Sequence, residues 1–160
     1  MKINKKSTKE IVEFHQKKWA DHVLMIGNAY RKKQDYKKIT EQLVDSLYAL
    51  DITTVLFKPT KASEVQFRSN KEEMISYFSG YNNFCSEDKG FAIEDWKNIR
   101  FENHEIVNLE NIILSMGNYF FKKTDNSELK VEYTFGYVFS VQGELKINLH
   151  HSSLPYKKEK

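Results

Sequence analysis

The sequence has little cysteine and little proline. Its one cysteine, Cys85, excludes a disulfide within the chain and is typical of a protein in a reducing compartment. The two prolines are Pro59 and Pro155, and Pro59 excludes regular strand pairing where it follows the apolar run at residues 52–57. Thr60 therefore comes where a strand ends and the chain turns away, and on the pattern alone it is a turn residue.

The sequence also lacks any long apolar run and any large excess of charge. No stretch approaches the length of a membrane-spanning helix, and the basic N-terminus leads into a charged helical pattern instead of the apolar core of a secretory signal. The net charge is only +3, and no basic stripe with interleaved aromatic residues is present. We therefore expect a cytoplasmic protein that binds neither membranes nor nucleic acids.

The composition is that of a globular protein. Hydrophobic residues make up 40% of the 160 residues and aromatic residues 14%, which is enough to build a core. No repeat, linker or change of composition divides the chain. The sequence predicts one domain over residues 1–160, with residues 1–6 and 157–160 as flexible ends.

Three stretches have helical spacing. The first begins with a capping box made by Ser7 and Glu10 and runs to about Lys33. Asp35 is placed to cap the second helix, and Asn70 begins the third. Residues 81–90 show no regular pattern and are predicted to form a loop.

From residue 91 onward the hydrophobic period changes from helical to two. The change predicts four strands, at residues 96–101, 112–121, 129–141 and 145–153. Residues 102–105 are predicted to lead into the next connection, and Gly117 to form a bulge or close contact. Helices that precede a run of strands indicate an α+β fold. We expect a curved antiparallel sheet wrapped around the N-terminal helices.

The last strand carries a cluster of polar residues at its end. Alternation along a strand places Ile147 and Leu149 on one face together with His151 and Ser153. The adjacent residues His150 and Ser152 then lie on the other face. If the apolar face points inward, the strand delivers an imidazole and a hydroxyl to the end of a hydrophobic interior, as in many small active sites.

Several segments together resemble the iota class of carbonic anhydrases, whose domain is related to the calmodulin-kinase association domain and to the NTF2-like cone. The pairing of Phe-Lys-Pro-Thr with His-His-Ser-Ser-Leu-Pro is the most specific part of the resemblance. The segments are Val55-Leu-Phe-Lys-Pro-Thr-Lys-Ala62, Gly90-Phe-Ala-Ile93, Met116-Gly-Asn-Tyr-Phe120, Val131-Glu-Tyr-Thr-Phe-Gly-Tyr137 and Ile147-Asn-Leu-His-His-Ser-Ser-Leu-Pro-Tyr156.

The resemblance implies reversible hydration of carbon dioxide to bicarbonate in a pocket lined by hydroxyl groups. Matched residue by residue, the threonine of the pocket is Thr60, the tyrosine is Tyr77, and the serine is Ser153. These three residues would hold bicarbonate, and His151 would accept a proton or orient the serine. Alternation favours Ser153 and His151 over their neighbours. The resemblance also leads us to expect a homodimer.

A metal cofactor, zinc or manganese, is the alternative to metal-free catalysis. A catalytic zinc usually has three protein ligands, whereas adjacent His150 and His151 point to opposite faces of a regular strand. His15 and His22 lie seven residues apart on the first helix without a carboxylate at a matching spacing. We therefore predict no cofactor.

Two other functions fit the same fold. One is a non-catalytic association module that binds a small acid or nothing. The other is an acid–base enzyme of the ketosteroid-isomerase kind, which needs an inward carboxylate with a raised pKa. The candidates Glu102, Glu105 and Glu132 show no such placement in the pattern, and His104 is predicted to lie on the surface.

Overall fold

The structure is a computed structural model that describes residues 7–159. Of the predicted flexible ends, residues 1–6 and 160 lie outside the described residues, and residues 157–159 are exposed and have no regular structure. A 3₁₀ turn at Phe91–Ile93 precedes the long strands. The other elements are α1 (Thr8–Arg31), α2 (Tyr36–Leu47), β1 (Leu56–Lys58), α3 (Lys71–Ser79), β2 (Trp96–Leu109), β3 (Ile112–Lys123), β4 (Glu128–Phe139) and β5 (Leu145–Ser153).

The helices begin where the sequence predicts. Ser7 and Glu10 form the capping box of α1, and Asn70 and Glu73 form another at α3. Asp35 accepts a hydrogen bond from the backbone at the start of α2. Each cap satisfies backbone N–H groups that have no partner inside the helix, so these boundaries are determined locally.

The five strands form one sheet in the order β1-β5-β4-β3-β2. Neighbouring strands from β2 to β5 are antiparallel, as predicted, but β1 pairs with β5 in parallel. The predicted antiparallel sheet is confirmed for the four long strands, and the short edge strand adds one parallel pair to it. Parallel strands need a long crossover, and here more than half of the chain lies between the two strands.

Strand β2 is longer than predicted. Residues 102–105 continue the strand instead of leading out of it, and their polar side chains are tolerated because β2 lies at the edge of the sheet. The pairing with β3 shifts between Asn103 and Glu105, opposite Gly117. A Cβ atom at Gly117 would lie 2.1 Å from the Glu102 carbonyl oxygen, so the predicted close contact is confirmed.

The core lies between α1 and the concave face of the sheet. Trp19 of α1 is buried among aromatic rings, with its centre 5.8 Å from that of Tyr119 and 6.3 Å from that of Phe135. Tyr133 and Tyr137 also face inward, as the alternation in β4 predicts. This aromatic interior surrounds the polar end of β5.

Candidate active site

A β-bulge interrupts β5 before its polar end. Gly136 of β4 pairs with Leu149, whereas the next residue, Tyr137, pairs with Ile147. Asn148 is therefore the extra residue on β5, and its Oδ1 atom would be 2.8 Å from a Cβ atom at Gly136. Because the extra residue shifts the alternation by one, the side chains beyond it exchange faces.

The bulge places His151 and Ser153 on the outer face of the sheet and His150 and Ser152 on the inner face. His150 is 2% exposed and Ser152 is 1% exposed. His151 lies on the exposed face, and Ser153 donates a hydrogen bond to Glu132 there. The prediction that His151 and Ser153 face the interior is therefore wrong, because it assumed an unbroken alternation.

The parallel pairing of β1 with β5 brings Thr60 to the same place. Lys58, the last residue of β1, pairs with His151, so the carboxyl ends of the two strands lie side by side. The Lys58 ammonium group donates a 2.8 Å hydrogen bond to the Ser152 carbonyl oxygen and holds the two ends together. Thr60 follows two residues later and lines the same pocket as Ser152.

Tyr77 of α3 closes the other side of this pocket. Its ring stacks on Phe91, with centres 5.5 Å apart, and burial raises the pKa of its hydroxyl. The Thr60 side chain and the peptide N–H groups of Thr60 and Lys61 adjoin the hydroxyl. Within residues 7–159, however, the Tyr77 hydroxyl makes no hydrogen bond of normal geometry. The structure thus brings Thr60 and Tyr77 together, as expected.

His150 is the centre of the polar network in the pocket. Its Nδ1 atom lies 2.9 Å from the Tyr48 hydroxyl, and its Nε2 atom lies 3.0 Å from Ser152 Oγ and 3.2 Å from the Tyr119 hydroxyl. Ser152 and Tyr119 also bond to each other. Burial holds the pKa of His150 well below its ordinary value, so the imidazole is neutral near pH 7.

The pocket is small and mostly apolar. Its walls are in close contact and leave no free space as large as a water molecule, whereas sites for larger ligands typically have ~300–1,000 Å³. No carboxylate lines it among the residues that the structure describes. The lining residues are Trp19, Phe57, Pro59, Thr60, Tyr77, Phe91, Tyr119, His150 and Ser152.

A buried ion-pair network fixes the loop that follows Thr60. Arg68 bonds to Asp88 through both terminal nitrogens, and Glu87 accepts hydrogen bonds from the N–H groups of Ser63 and Val65. Burial raises the pKa of Glu87, but these backbone donors outweigh it, and the pKa falls to about 2. The loop is therefore tied to residues 87–88, which come just before the 3₁₀ turn that carries Phe91 of the pocket lining.

The residues near the pocket do not form a metal site. Within the described part of the chain, no three His, Cys, Asp or Glu residues are grouped to hold an ion. His150 and His151 project to opposite faces, as predicted. His15 is buried, while His22 is partly exposed and contacts the Lys18 carbonyl oxygen.

Comparison with known proteins identifies the family. Residues 10–154 match the family described as metal-independent carbonic anhydrase. The chain belongs to this family. It is also 32% identical over 158 residues to a metal-independent carbonic anhydrase from Nostoc sp., an alignment that covers 97% of this chain and 77% of that protein.

Solved structures support the same assignment. A cyanobacterial iota-carbonic anhydrase in complex with bicarbonate has a TM-score of 0.90 and 32% identity, and the match covers 95% of this chain and 94% of that one. A protein from Xanthomonas campestris, assigned as a calcium/calmodulin-dependent kinase II association domain, has a TM-score of 0.62 at 18% identity over 98% and 93% of the two chains. The second match shows the fold alone.

The predicted family, the NTF2-like α+β fold and the carbonic anhydrase function are thereby confirmed. The metal-independent description of the family agrees with the prediction of no cofactor. In the ketosteroid-isomerase alternative, the candidate bases Glu102, Glu105 and Glu132 are all exposed, as the pattern indicates. No helix within residues 7–159 is long and apolar enough to cross a membrane.

The sequence interpretation missed several residues of the pocket. Alternation along β5 predicts His150 and Ser152 on the outer face, and the one signal against this is Gly136, a residue without a side chain on the outward face of β4 opposite the bulge. Tyr119 lies in one of the segments that carry the family resemblance, and it alternates with other inward residues of β3. Tyr48 follows a helix, and no sequence pattern connects it with the pocket.

Proposed function

We propose that this carbonic anhydrase hydrates carbon dioxide in the pocket between β1, α3 and the end of β5. Thr60, Tyr77 and Ser152 hold bicarbonate, Tyr119 supplies a further hydroxyl, and His150 supports Ser152. This assignment keeps two of the residues expected from the sequence. It replaces Ser153 and His151 with their inward neighbours, because only the inward pair reaches the other hydroxyl groups.

The unpartnered hydroxyl of Tyr77 is the observation that carries this proposal. The hydroxyl is buried beside Thr60 and, within residues 7–159, makes no normal hydrogen bond. A buried polar group without a partner costs about 1–3 kcal/mol. An oxygen atom of a bound ligand would satisfy it. Support also comes from the cyanobacterial relative, whose structure contains bicarbonate.

The walls and the hydroxyl groups suit different stages of the reaction, in which carbon dioxide and water give bicarbonate and a proton. Carbon dioxide is apolar and would bind against Phe57 and Phe91, whose rings must move apart to admit it. As water adds to the carbon atom, negative charge develops on the oxygen atoms, which face the hydroxyl groups of Thr60, Tyr77 and Ser152. Preorganised donors of this kind contribute about 3 kcal/mol each to lowering the barrier.

Stopped-flow measurement of carbon dioxide hydration on the Ser152→Ala and Ser153→Ala variants tests the site. We expect Ser152→Ala to lower kcat by about 100-fold, because it removes one donor from the pocket. Ser153→Ala is the matched control. Its hydroxyl bonds to Glu132 on the exposed face, so its loss should leave kcat unchanged.

The opposite result, with Ser153→Ala inactive and Ser152→Ala active, would mean that the reaction takes place on the outer face of the sheet.

Both variants and the native protein are assayed before and after treatment with a chelator, with metal content measured in each sample. Activity that disappears with the metal and returns when zinc or manganese is added would contradict metal-free catalysis.

A homodimer is the assembly that we propose. Leu56 and Phe67 are exposed apolar side chains that line one groove beside the edge strand β1, and Phe67 is 75% exposed. Exposed apolar patches of this kind commonly mark protein interfaces. Light scattering at several protein concentrations measures the mass directly, and a monomer at every concentration would refute the proposal.

The cytoplasm is the proposed location. Cys85 is a free, buried thiol, which is typical of proteins kept in a reducing compartment. Fractionation of the source cells tests this, and recovery of the protein outside the cytoplasmic fraction would contradict it.

A further inference from the structure

A chain of hydrogen bonds leads from α1 to the imidazole of the pocket. The Trp19 indole N–H donates to the Tyr48 hydroxyl at 3.0 Å, and this hydroxyl lies 2.9 Å from His150 Nδ1. The opposite ring nitrogen, Nε2, contacts Ser152 Oγ at 3.0 Å. Trp19, Tyr48, His150 and Ser152 are each no more than 2% exposed, so bulk water cannot substitute for any partner.

The Trp19 indole is the first group in this series of hydrogen bonds, and it determines the direction of every bond that follows. An indole N–H can only donate, so the Tyr48 oxygen accepts from Trp19 and its own proton remains to be donated. Within the described residues, the one further partner of the Tyr48 hydroxyl is His150 Nδ1. His150 Nδ1 therefore accepts.

The state of His150 follows from this direction. A neutral imidazole has one donor and one acceptor nitrogen, and burial keeps the pKa of His150 well below its usual range. With Nδ1 accepting, the proton is on Nε2. The reverse tautomer would leave the Tyr48 proton buried without an acceptor, which is unfavourable.

We propose that Trp19 and Tyr48 are positioning residues that hold His150 as the Nε2–H tautomer, so that His150 donates a hydrogen bond to Ser152 and does not act as the base that deprotonates water. This inference rests on the proposed function of the pocket. Ser152 Oγ accepts from His150 and keeps its own proton to donate, either to Tyr119 or to a ligand oxygen. The pocket is thereby set to present donors, which favour an anionic product.

The same arrangement argues against His150 as a proton acceptor during hydration. Its Nε2 atom already carries a proton, and its Nδ1 atom faces the proton of Tyr48. Accepting another proton would create an imidazolium between Trp19, Phe57 and Phe135, whose rings lie within 5.7 Å of its own. A buried cation without a counter-ion is strongly disfavoured. We therefore expect no inflection from His150 in the pH dependence of kcat near neutrality.

The direct test is the tautomer of His150 in the native protein. Two-bond ¹H–¹⁵N NMR spectra of protein labelled with ¹⁵N-histidine distinguish protonated from unprotonated ring nitrogens, and the His150→Gln variant assigns the signals. We expect Nε2 to be protonated and Nδ1 to be unprotonated from pH 6 to pH 8. An Nδ1–H tautomer, or a protonated ring in this range, would overturn the proposal without depending on any variant's activity.

The Tyr48→Phe variant tests the positioning role. It keeps the ring that packs on Phe57 and Phe78 but removes the hydroxyl. We expect the variant to lose the fixed Nε2–H tautomer and kcat to fall roughly tenfold, as expected for one lost hydrogen bond in the network. Tyr137→Phe is the matched control, because the hydroxyl of this buried tyrosine of β4 makes no hydrogen bond to His150, and its loss should change neither property.

The two proposals fail in different ways. If Ser152→Ala is fully active while the native tautomer is Nε2–H, the assignment of the pocket as the catalytic site is wrong. If Ser152→Ala is inactive but Tyr48→Phe folds normally and keeps both the tautomer and kcat, the positioning role of Tyr48 is wrong.

Discussion

Acid should destabilise this protein through a buried histidine that is outside the pocket. His15 of α1 is 4% exposed, and within residues 7–159 neither of its ring nitrogens has a hydrogen-bond partner of normal geometry. Its ring meets Tyr137 edge-on, with centres 5.1 Å apart. Burial, helped by the positive charge of Lys18, lowers its pKa from 6.5 to about 4.

The size of the effect follows from the change in pKa on folding. Between pH 6.5 and pH 4 the unfolded chain binds a proton at His15 and the folded protein does not, so stability falls as the pH falls. One pKa unit corresponds to about 1.4 kcal/mol. The whole pKa shift therefore corresponds to about 3 kcal/mol in the free energy of unfolding. This contribution is fully present above pH 6.5, and about 2 kcal/mol of it is lost by pH 4.5.

Urea unfolding at pH 7 and pH 4.5 measures this loss. We compare the native protein with His15→Leu, which fills a similar volume and does not titrate. The effects of groups that titrate in both proteins cancel in this comparison. The free energy of unfolding of the native protein should therefore fall by about 2 kcal/mol more than that of the variant between the two pH values. His104→Gln, a change on the exposed face of β2, should behave like the native protein. Equal losses in the native protein and His15→Leu would refute the reasoning.

Two further predictions concern stability. Arg68→Leu should lower the free energy of unfolding by about 3–5 kcal/mol in urea titrations, because it leaves Asp88, whose side chain is 1% exposed, without its partner; a loss below 1 kcal/mol would mean that the pair is dispensable. Gly117→Ala should cost roughly 2 kcal/mol or more, since its Cβ atom would lie 2.1 Å from the Glu102 carbonyl oxygen. An unchanged thermal midpoint for Gly117→Ala would contradict this close approach.

The helices could be predicted because their signals are local. The capping boxes at Ser7 and Asn70 involve residues three apart, and Gly80 ends α3 with a φ of +68°, which suits a residue without a Cβ atom. The alternation of β4 was likewise readable, since Tyr133 and Tyr137 lie on one buried face. Such patterns need no knowledge of the partner strand.

The arrangement of the pocket depends on pairing between distant segments, which alternation cannot show. The bulge at Asn148 exists only in relation to Gly136 of β4, and it alone decides whether His150 or His151 faces inward. The parallel pairing of β1 could not be read from three residues. Thr60 and Tyr77 were expected from family resemblance, while the alternation by itself selected the wrong histidine and serine.

The parallel pairing of β1 with β5 has a consequence for how the enzyme is made. Lys58 and Ser152, which bond where the two strands end, are 94 positions apart in sequence. A chain emerging from the ribosome can form α1, α2 and α3 early, but Thr60 has no serine opposite it until the last strand is synthesised and docks. Contacts this distant in sequence are among the slowest to form. The pocket is thus completed only when β5 has been synthesised and has docked, and a fragment that stops before β5 would lack both His150 and Ser152.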